Sequence, residues 1–275
     1  MNRDNTVKIM LRRTPLLKWR RSYSSGIPLR LQMLSGILFL FLFLFGFSIA
    51  HAEPFKVAEK FIYDLTWTGI KAGTASLELT KDGDTIKIVS TAQSAQWVSV
   101  FYTVDDRIES MLSHNPSFCS IGQPVQYRIK IREGRHRRDK EVVFDRSNNK
   151  AKYRDYLKNE KKEFDVPPSV FDPISSFYYL RTLKLTVGEP VYVTIFDSKK
   201  VWNVEVQVLR RERITLPTGT FDTIVVKPNM KSEGIFYRKG EIFIWLTDDV
   251  KHIPVQLQTK VAVGSITATL VKGMY

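Results

Sequence analysis

The sequence predicts a mostly β protein: an antiparallel open β-barrel or strongly curled sheet with one helix packed on its concave face. Three observations favour this fold class. After residue 52, apolar and polar residues alternate with a period of two through much of the chain, which is typical of strands with one buried and one solvent-facing side. Turn-forming residues separate these runs at short spacing. One segment alone follows a helical spacing clearly.

The first 52 residues predict an export signal rather than a part of this fold. Residues 1–30 carry eight basic side chains and one acidic one, and residues 31–52 contain no Lys, Arg, Asp or Glu. The apolar stretch ends in Ala50-His51-Ala52, so we expect cleavage after Ala52. The alternative is an uncleaved anchor, because the apolar run has about the minimum length of a membrane-spanning helix. In both cases residues 53–275 form a single exported β-rich domain, either free in the periplasm or anchored to the inner membrane.

Strands and turns follow one another in short, even succession after this signal. Lys81–Asp84 predicts a hairpin turn, and residues 147–149 and 217–219 predict two further turns. We expect roughly a dozen strands, which indicates one barrel or curled sheet rather than βαβ units. The clearest alternating runs are residues 125–131, 202–208, 255–258 and 265–270.

The residues after Asp172 break the β pattern. Asp172 followed by Pro173 is typical of a helix N-cap and first turn. Ile174 and Phe177 then follow a helical spacing, so the pattern predicts a helix from Pro173 to Leu183. Its apolar stripe is expected to pack on or inside the sheet.

Two stretches are apolar on both faces, namely Ile242–Leu246 and residues 94–104. Such strands are covered on both sides, or one of their faces lines a cavity. Core strands beneath the helix and a ligand pocket are therefore both open interpretations. The candidate pocket residues are Trp97, Phe177, Tyr178, Phe243 and Trp245.

The stretch WLTDDVKHIPV (residues 245–255) combines two carboxylates with a histidine. Asp248, Asp249 and His252 would form a general acid–base group if they lay within hydrogen-bond reach, which is the hydrolase alternative. Asp side chains also favour turns because they hydrogen-bond to their own backbone, and Pro254 restricts the residue before it. We therefore interpret these residues as a turn at the rim of a possible pocket. The local ligands are too few to predict a metal site.

Residues 128–162 hold fourteen basic and six acidic side chains. Two basic strands joined by a turn at Gly134 predict a cationic patch on one surface. An exported protein rarely meets nucleic acid, so we expect anionic lipid head groups or cell-envelope polymers as partners; the alternative is a solvated hairpin. Membrane contact is expected only through this hairpin or an uncleaved signal. The patch residues are Arg128, Lys130, Arg132, Arg135, Arg137 and Arg138.

Motifs of known enzyme classes are absent from the sequence. There is no nucleotide-binding loop, dinucleotide fingerprint, serine-hydrolase motif or zinc-protease motif. Cys119 is the single cysteine, which excludes an intramolecular disulfide, and we interpret it as structural. We expect a non-enzymatic protein without a cofactor that binds a lipid or other amphipathic ligand. The alternatives are a structural or assembly protein of the envelope, which would bind other envelope proteins, and the hydrolase.

Four blocks of the sequence resemble the bacterial exported family called domain of unknown function 3108. The resemblance covers about residues 55–270. It implies an exported, mostly β protein of Gram-negative envelopes and implies no reaction. The implied shape is similar to the open barrels of periplasmic lipoprotein carriers, in which a helix plugs a curled sheet. The blocks are IYDLTWTGIKAGTASLEL, FDPISSFYYLRTLKLTVGEP, LPTGTFDTIVVKP and KGEIFIWLTDDVKHIPVQLQTKVAVGSITATL.

Overall fold

The computed structural model describes residues 58–113, 119–229, 241–260 and 264–275. All of them belong to one compact unit, Ala52–Tyr275. The predicted signal or anchor, residues 1–52, lies outside the described residues. The described part contains fourteen strands and two helices, α1 (Gln96–Ser99) and α2 (Pro173–Leu180).

The strands form one antiparallel sheet in which consecutive strands pair with one another, except that β8 does not pair with β9 and β14 pairs with β1. The turns predicted at Lys81–Asp84, residues 147–149 and residues 217–219 fall in the β2–β3, β6–β7 and β10–β11 connections. The strands are β1 (Ala58–Trp67), β2 (Ile70–Asp82), β3 (Thr85–Ser94), β4 (Asp105–Ser113), β5 (Gln123–Glu133), β6 (His136–Asp145), β7 (Lys150–Asp155), β8 (Glu160–Asp165), β9 (Val191–Asp197), β10 (Lys200–Leu216), β11 (Gly219–Pro228), β12 (Ile242–Thr247), β13 (Pro254–Lys260) and β14 (Ser265–Met274).

The sheet curls but its hydrogen-bonded ladder does not close. Its strand order runs from β8 through β1 and β14 to β9, so β8 and β9 are the two edges. Side chains bring these edges together, because the rings of Phe164 on β8 and Phe196 on β9 lie 5.5 Å apart. Phe171 pairs in parallel with Ile195 and covers the free edge of β9. The predicted open barrel or curled sheet is therefore confirmed.

Helix α2 begins where the sequence predicts. The carboxylate of Asp172 accepts hydrogen bonds from the backbone N–H groups of Ile174 and Ser175, each at 3.0 Å, and the Ser175 hydroxyl accepts one from the Asp172 N–H at 3.1 Å. This reciprocal capping box satisfies the first N–H groups of the helix. The helix ends at Leu180 rather than at the predicted Leu183, because the N–H groups of Thr182 and Leu183 bond three residues back instead of four.

Alternate connections lie at the same end of the barrel, since consecutive strands run antiparallel. Connections after odd-numbered strands, including the β3–β4 connection that contains α1, define the α1 end. Connections after even-numbered strands, including the β8–β9 connection that contains α2, define the α2 end. The strand predicted across residues 94–104 is wrong, because this stretch contains α1 and a turn of the chain. Hydrogen bonds from Val104 N–H to the Ser94 hydroxyl, at 2.9 Å, and between the Ser94 and Ser99 hydroxyls, at 2.7 Å, hold this turn together.

Candidate functional site

A cavity of about 350 Å³ lies between the inner face of the sheet and helix α2. Strands from both halves of the sheet line it, for example Leu77 on β2, Val193 on β9 and Ile244 on β12, and the helix contributes Ile174 and Phe177. Nearly all of its lining side chains are apolar, and its volume falls within the range of about 300–1,000 Å³ that is usual for small-molecule sites. The arrangement is suited to an apolar group and offers little to hold a polar one.

The cavity reaches solvent at the α1 end of the barrel. Ile266, near the start of β14, lines the cavity and is still 37% exposed. It pairs across the sheet with Thr259 near the end of β13 and with Trp67 at the end of β1, and both of these positions are at the α1 end. An amphipathic molecule can therefore place its apolar part inside and its polar part at this opening.

The helix residues predicted for the pocket have different positions. Phe177 lines the cavity, as predicted. Tyr178 is fully buried but does not line it; its ring lies 5.0 Å from the guanidinium carbon of Arg181, and burial raises the pKa of its hydroxyl well above the usual value. Trp97 lies on the surface in α1, 44% exposed, and does not line the cavity.

Strand β12 presents its isoleucines rather than its aromatic residues to the cavity. Ile242 and Ile244 line the cavity. Phe243 and Trp245 alternate with them and therefore belong to the opposite face of the strand. The Trp245 indole N–H donates to the carboxylate of Glu212 there. The sequence does not show which face of this strand points to the cavity, because both of its faces are apolar and no alternation of apolar and polar residues is visible.

The charged stretch between β12 and β13 is a turn held together by its own side chains. One carboxylate oxygen of Asp249 accepts from the Thr247 hydroxyl at 2.8 Å and from the N–H groups of Lys251 and His252 at 2.9 and 3.2 Å. His252 has a positive φ of 43°, and its Nδ1 bonds to the carbonyl oxygen of Arg181 at 2.8 Å. The Asp249 carboxylate and the His252 imidazole ring therefore both hydrogen-bond to backbone groups.

This turn lies at the α2 end, away from the cavity opening. The neighbouring Asp248 points to solvent and forms an ion pair with Arg211 at 2.6 Å. None of Asp248, Asp249 and His252 lines the cavity. The expected turn is present, but these residues do not form the rim of this cavity.

A buried ion pair, which sequence reasoning missed, ties this turn to the barrel. The Arg181 guanidinium donates to both carboxylate oxygens of Glu59 at 2.8 and 3.1 Å, and the two side chains are 0% and 1% exposed. The guanidinium also donates to the carbonyl oxygens of His252 and Lys251 at 3.0 and 3.1 Å. The signal in the sequence was Glu59, a charged residue in phase with the buried Phe61 of β1.

The basic hairpin forms as β5 and β6, but its charges do not all face solvent. Arg128 pairs with Asp139 and lies 4.3 Å from the ring centre of Tyr156. Arg138 is opposite Ile131 in the hairpin register, so it points inward instead of joining the patch, and it lines a second cavity. The exposed basic residues of the hairpin are Lys130, Arg132, Arg135 and Arg137.

The second cavity, of about 20 Å³, has both polar and apolar lining residues and has room for one water molecule. Arg138, Lys140, Tyr127 and Asp197 all line it. Among the described residues, the Tyr127 hydroxyl and one carboxylate oxygen of Asp197 have no hydrogen-bond partner. Burial raises the pKa of Asp197, and the nearby cations of Arg138 and Lys140 oppose this shift. Burial also lowers the pKa of Lys140.

Other candidate chemistry is limited in the described part of the chain. Burial raises the pKa of the Cys119 thiol, whose sulfur lies 3.2 Å from the carbonyl oxygen of Gly122. Within residues 58–113, 119–229, 241–260 and 264–275, no three His, Cys, Asp or Glu side chains come together as metal ligands. Neither helix of these ranges has the length and apolar character needed to cross a membrane.

These features define an open antiparallel barrel that encloses one helix and an apolar cavity. The chain belongs to the DUF3108 family, described as a protein of unknown function, whose model matches residues 62–271. This match confirms the resemblance noted in the sequence. A comparison with curated proteins finds no match.

Solved structures of low sequence identity are among those similar to this chain. A beta-barrel-like protein of the domain of unknown function DUF1849 from Brucella abortus is 13% identical, with a TM-score of 0.50 over 79% of this chain and 97% of the other. A protein from Parabacteroides distasonis, described as a candidate lipoprotein, is 11% identical with a TM-score of 0.34, over 80% of this chain and 96% of that one. A candidate exported protein with a YmcC-like fold from Bacteroides fragilis is 10% identical with a TM-score of 0.33. The match covers 79% of this chain and 95% of that one.

Proposed function

We propose that the protein is a non-enzymatic cell-envelope protein that binds a lipid or other amphipathic ligand, with the apolar part of the ligand inside the barrel. The observation that carries this proposal is the cavity of about 350 Å³ between the sheet and α2. An apolar group that enters it gains about 25 cal/mol per Å² removed from water. The polar part of the ligand remains at the α1 end, where Ile266 reaches solvent.

The location belongs to the same proposal. The basic head, the apolar run and the small-residue pattern at Ala50-His51-Ala52 support export to the periplasm. The protein is then either free there or anchored to the inner membrane through residues 1–52. Both forms leave the barrel in the compartment that lies between two lipid bilayers.

The interactions of the charged turn favour binding over hydrolysis. Asp249 and His252 hydrogen-bond to the backbone of their own turn and to the end of α2. A general base must reach the proton that it removes, whereas these two groups are occupied in holding the chain. The hydrolase alternative requires them to leave these contacts.

The test compares a Phe substitution inside the cavity with a Phe substitution outside it. Ala268 lines the cavity on β14, and Ala268→Phe fills part of the space. Val143 is 41% exposed on β6, so Val143→Phe is the matched control. Native mass spectrometry and lipid extraction of the exported protein measure the bound ligand, and the melting temperature is measured with added lysophospholipid.

We expect the wild type and Val143→Phe to carry an amphiphile or to melt at a higher temperature when one is added. Ala268→Phe should lose both effects while its circular dichroism spectrum stays unchanged. Absence of any bound amphiphile in the wild type, with no shift in melting temperature, would refute the proposal. An assembly role would instead be indicated if replacing Arg135 and Arg137 with Glu abolished pull-down of an envelope protein without changing the ligand content.

A further inference from the structure

An exposed apolar surface lies at the α1 end of the barrel. Val100 is 85% exposed, Phe101 64%, Ile70 63% and Trp97 44%; these four residues are called the α1 surface below. The Trp97 indole N–H donates to the carbonyl oxygen of Lys71 at 3.0 Å, which joins α1 to the β1–β2 hairpin. Large exposed apolar patches are unusual on soluble proteins and mark surfaces that bind a membrane or a partner.

The loop that carries this surface is held in place on its other side by the basic hairpin. Tyr102 packs so closely on the β5–β6 turn that a Cβ atom at Gly134 would lie 2.6 Å from its ring. The Gly134 N–H donates to the carbonyl oxygen of Thr103 at 2.8 Å. Val100 and Phe101 therefore stay exposed because their loop is bonded to the β1–β2 hairpin on one side and to the β5–β6 turn on the other.

Cationic side chains border the same surface. Arg135 and Arg137 belong to the turn and strand next to Gly134, and both are exposed. Arg137 donates to the carbonyl oxygens of Gly134 and His136 at 2.7 and 2.8 Å, which keeps its charge at the tip of the hairpin. The α1 surface thus combines aromatic and aliphatic groups with arginines at one edge.

The α1 surface is also continuous with the opening of the cavity. Ile70 pairs with Trp67 across the β1–β2 hairpin. Trp67 in turn pairs with Ile266, which lines the cavity and is partly exposed. An apolar path therefore leads from the exposed residues to the cavity.

We propose that the α1 surface docks on an anionic lipid bilayer, with Val100 and Phe101 in the boundary between head groups and acyl chains. Trp and Tyr are enriched at this depth because they have an apolar ring and a polar tip. Arg135 and Arg137 bind the lipid phosphates, each strengthening binding about fivefold. This docking places the cavity opening at the membrane, but it rests on surface residues and does not require that the cavity be filled.

A local fluorescence probe tests the docking in the full chain. In a Cys119→Ser background, Val100→Cys is labelled with the environment-sensitive dye NBD and mixed with vesicles of phosphatidylglycerol and phosphatidylethanolamine, or of phosphatidylcholine alone. The control is Val250→Cys, which is 68% exposed in the β12–β13 turn at the α2 end. Because the signal comes from the labelled position, it reports docking whether or not residues 1–52 remain attached.

We expect brighter and blue-shifted emission at position 100 with the anionic vesicles and no change at position 250. Replacing both Phe101 and Ile70 with Asp should weaken vesicle binding on the order of a hundredfold, because two large apolar side chains no longer leave water. The double change Arg135→Gln and Arg137→Gln should weaken it about twenty-five-fold.

Lys81→Gln with Lys272→Gln removes the same charge at the α2 end and should leave binding unchanged. Unchanged emission at position 100 with anionic vesicles, or an equal change at position 250, would overturn the docking. Protection of position 100 by an envelope protein but not by vesicles would assign the surface to a protein partner and would also overturn it. Ligand content, measured in parallel by mass spectrometry, separates this result from the proposed function.

Discussion

The ion pair between Glu59 and Arg181 predicts the largest single-residue effect on stability. Both side chains are buried from solvent, and the guanidinium makes two hydrogen bonds to the carboxylate. Glu59→Gln leaves a buried cation without its counter-charge. Arg181→Met leaves a buried anion and also removes the donor of the Lys251 and His252 carbonyl oxygens.

The magnitudes follow from these contacts. Breaking a buried pair by removal of one partner costs about 3–5 kcal/mol of the free energy of unfolding. A buried acceptor that loses its donor costs about 1–3 kcal/mol, so Arg181→Met should be the more damaging of the two changes. Because a typical domain is stable by only about 5–15 kcal/mol, each variant should lose a large part of its free energy of unfolding.

The assay is equilibrium unfolding in urea, with circular dichroism as the signal and a comparison of midpoints at constant slope. Glu59→Gln combined with Arg181→Met removes both charges, and we expect the loss to be smaller than the sum of the single losses by about 2 kcal/mol or more. The matched control is Lys60→Met, which breaks the exposed pair of Lys60 and Glu78 at 2.8 Å and should cost less than about 1 kcal/mol. Single losses below about 1 kcal/mol, or strict additivity, would refute this reasoning.

Two further predictions concern carboxylates. Asp249→Ala should lower the free energy of unfolding by about 1–2 kcal/mol, because three donors of the turn lose their acceptor. Asp248→Ala is the control and should change this free energy by less than about 0.5 kcal/mol. Equal effects of the two changes on unfolding in urea would contradict the turn interpretation. Asp197 has a raised pKa in the folded state, so the folded protein binds this proton more tightly than the unfolded chain and loses stability as the pH rises through the raised value. Asp197→Asn should therefore melt at a higher temperature than the wild type at pH 8, and this advantage should shrink as the pH falls towards the usual Asp value; an advantage that grows with acidity would contradict it.

The elements with local signals could be predicted from the sequence. Asp172 and Pro173 indicate the start of α2 because a capping box is formed by residues three apart. The alternation in residues 125–131 indicates β5 because successive side chains of a strand point to opposite faces. Residues 94–104 were misread as a strand because an apolar run has no period of its own, and the hydroxyls of Ser94 and Ser99 support a turn there.

The candidate site was predicted less completely than the fold. Phe177 was placed correctly because it lies on the apolar stripe of a recognisable helix. The sequence predicts Phe243 and Trp245 for the pocket because β12 is apolar on both faces, but the cavity is lined by Ile242 and Ile244. Arg138 was assigned to the surface, yet the two-residue turn of the hairpin sets it opposite Ile131 and so turns it inward. A shift of one residue in register moves a side chain to the other face of the sheet.

The sequence by itself determined that this chain is a mostly β protein with one substantial helix and a charged turn after β12, because short-range chemistry specifies each of these. Only the tertiary structure decided that a cavity remains between the sheet and α2, and that Arg181 meets Glu59 across 122 residues of chain. Such contacts depend on the total curvature of fourteen strands. That curvature brings distant residues together through many small twists, none of which leaves a separate mark in the sequence.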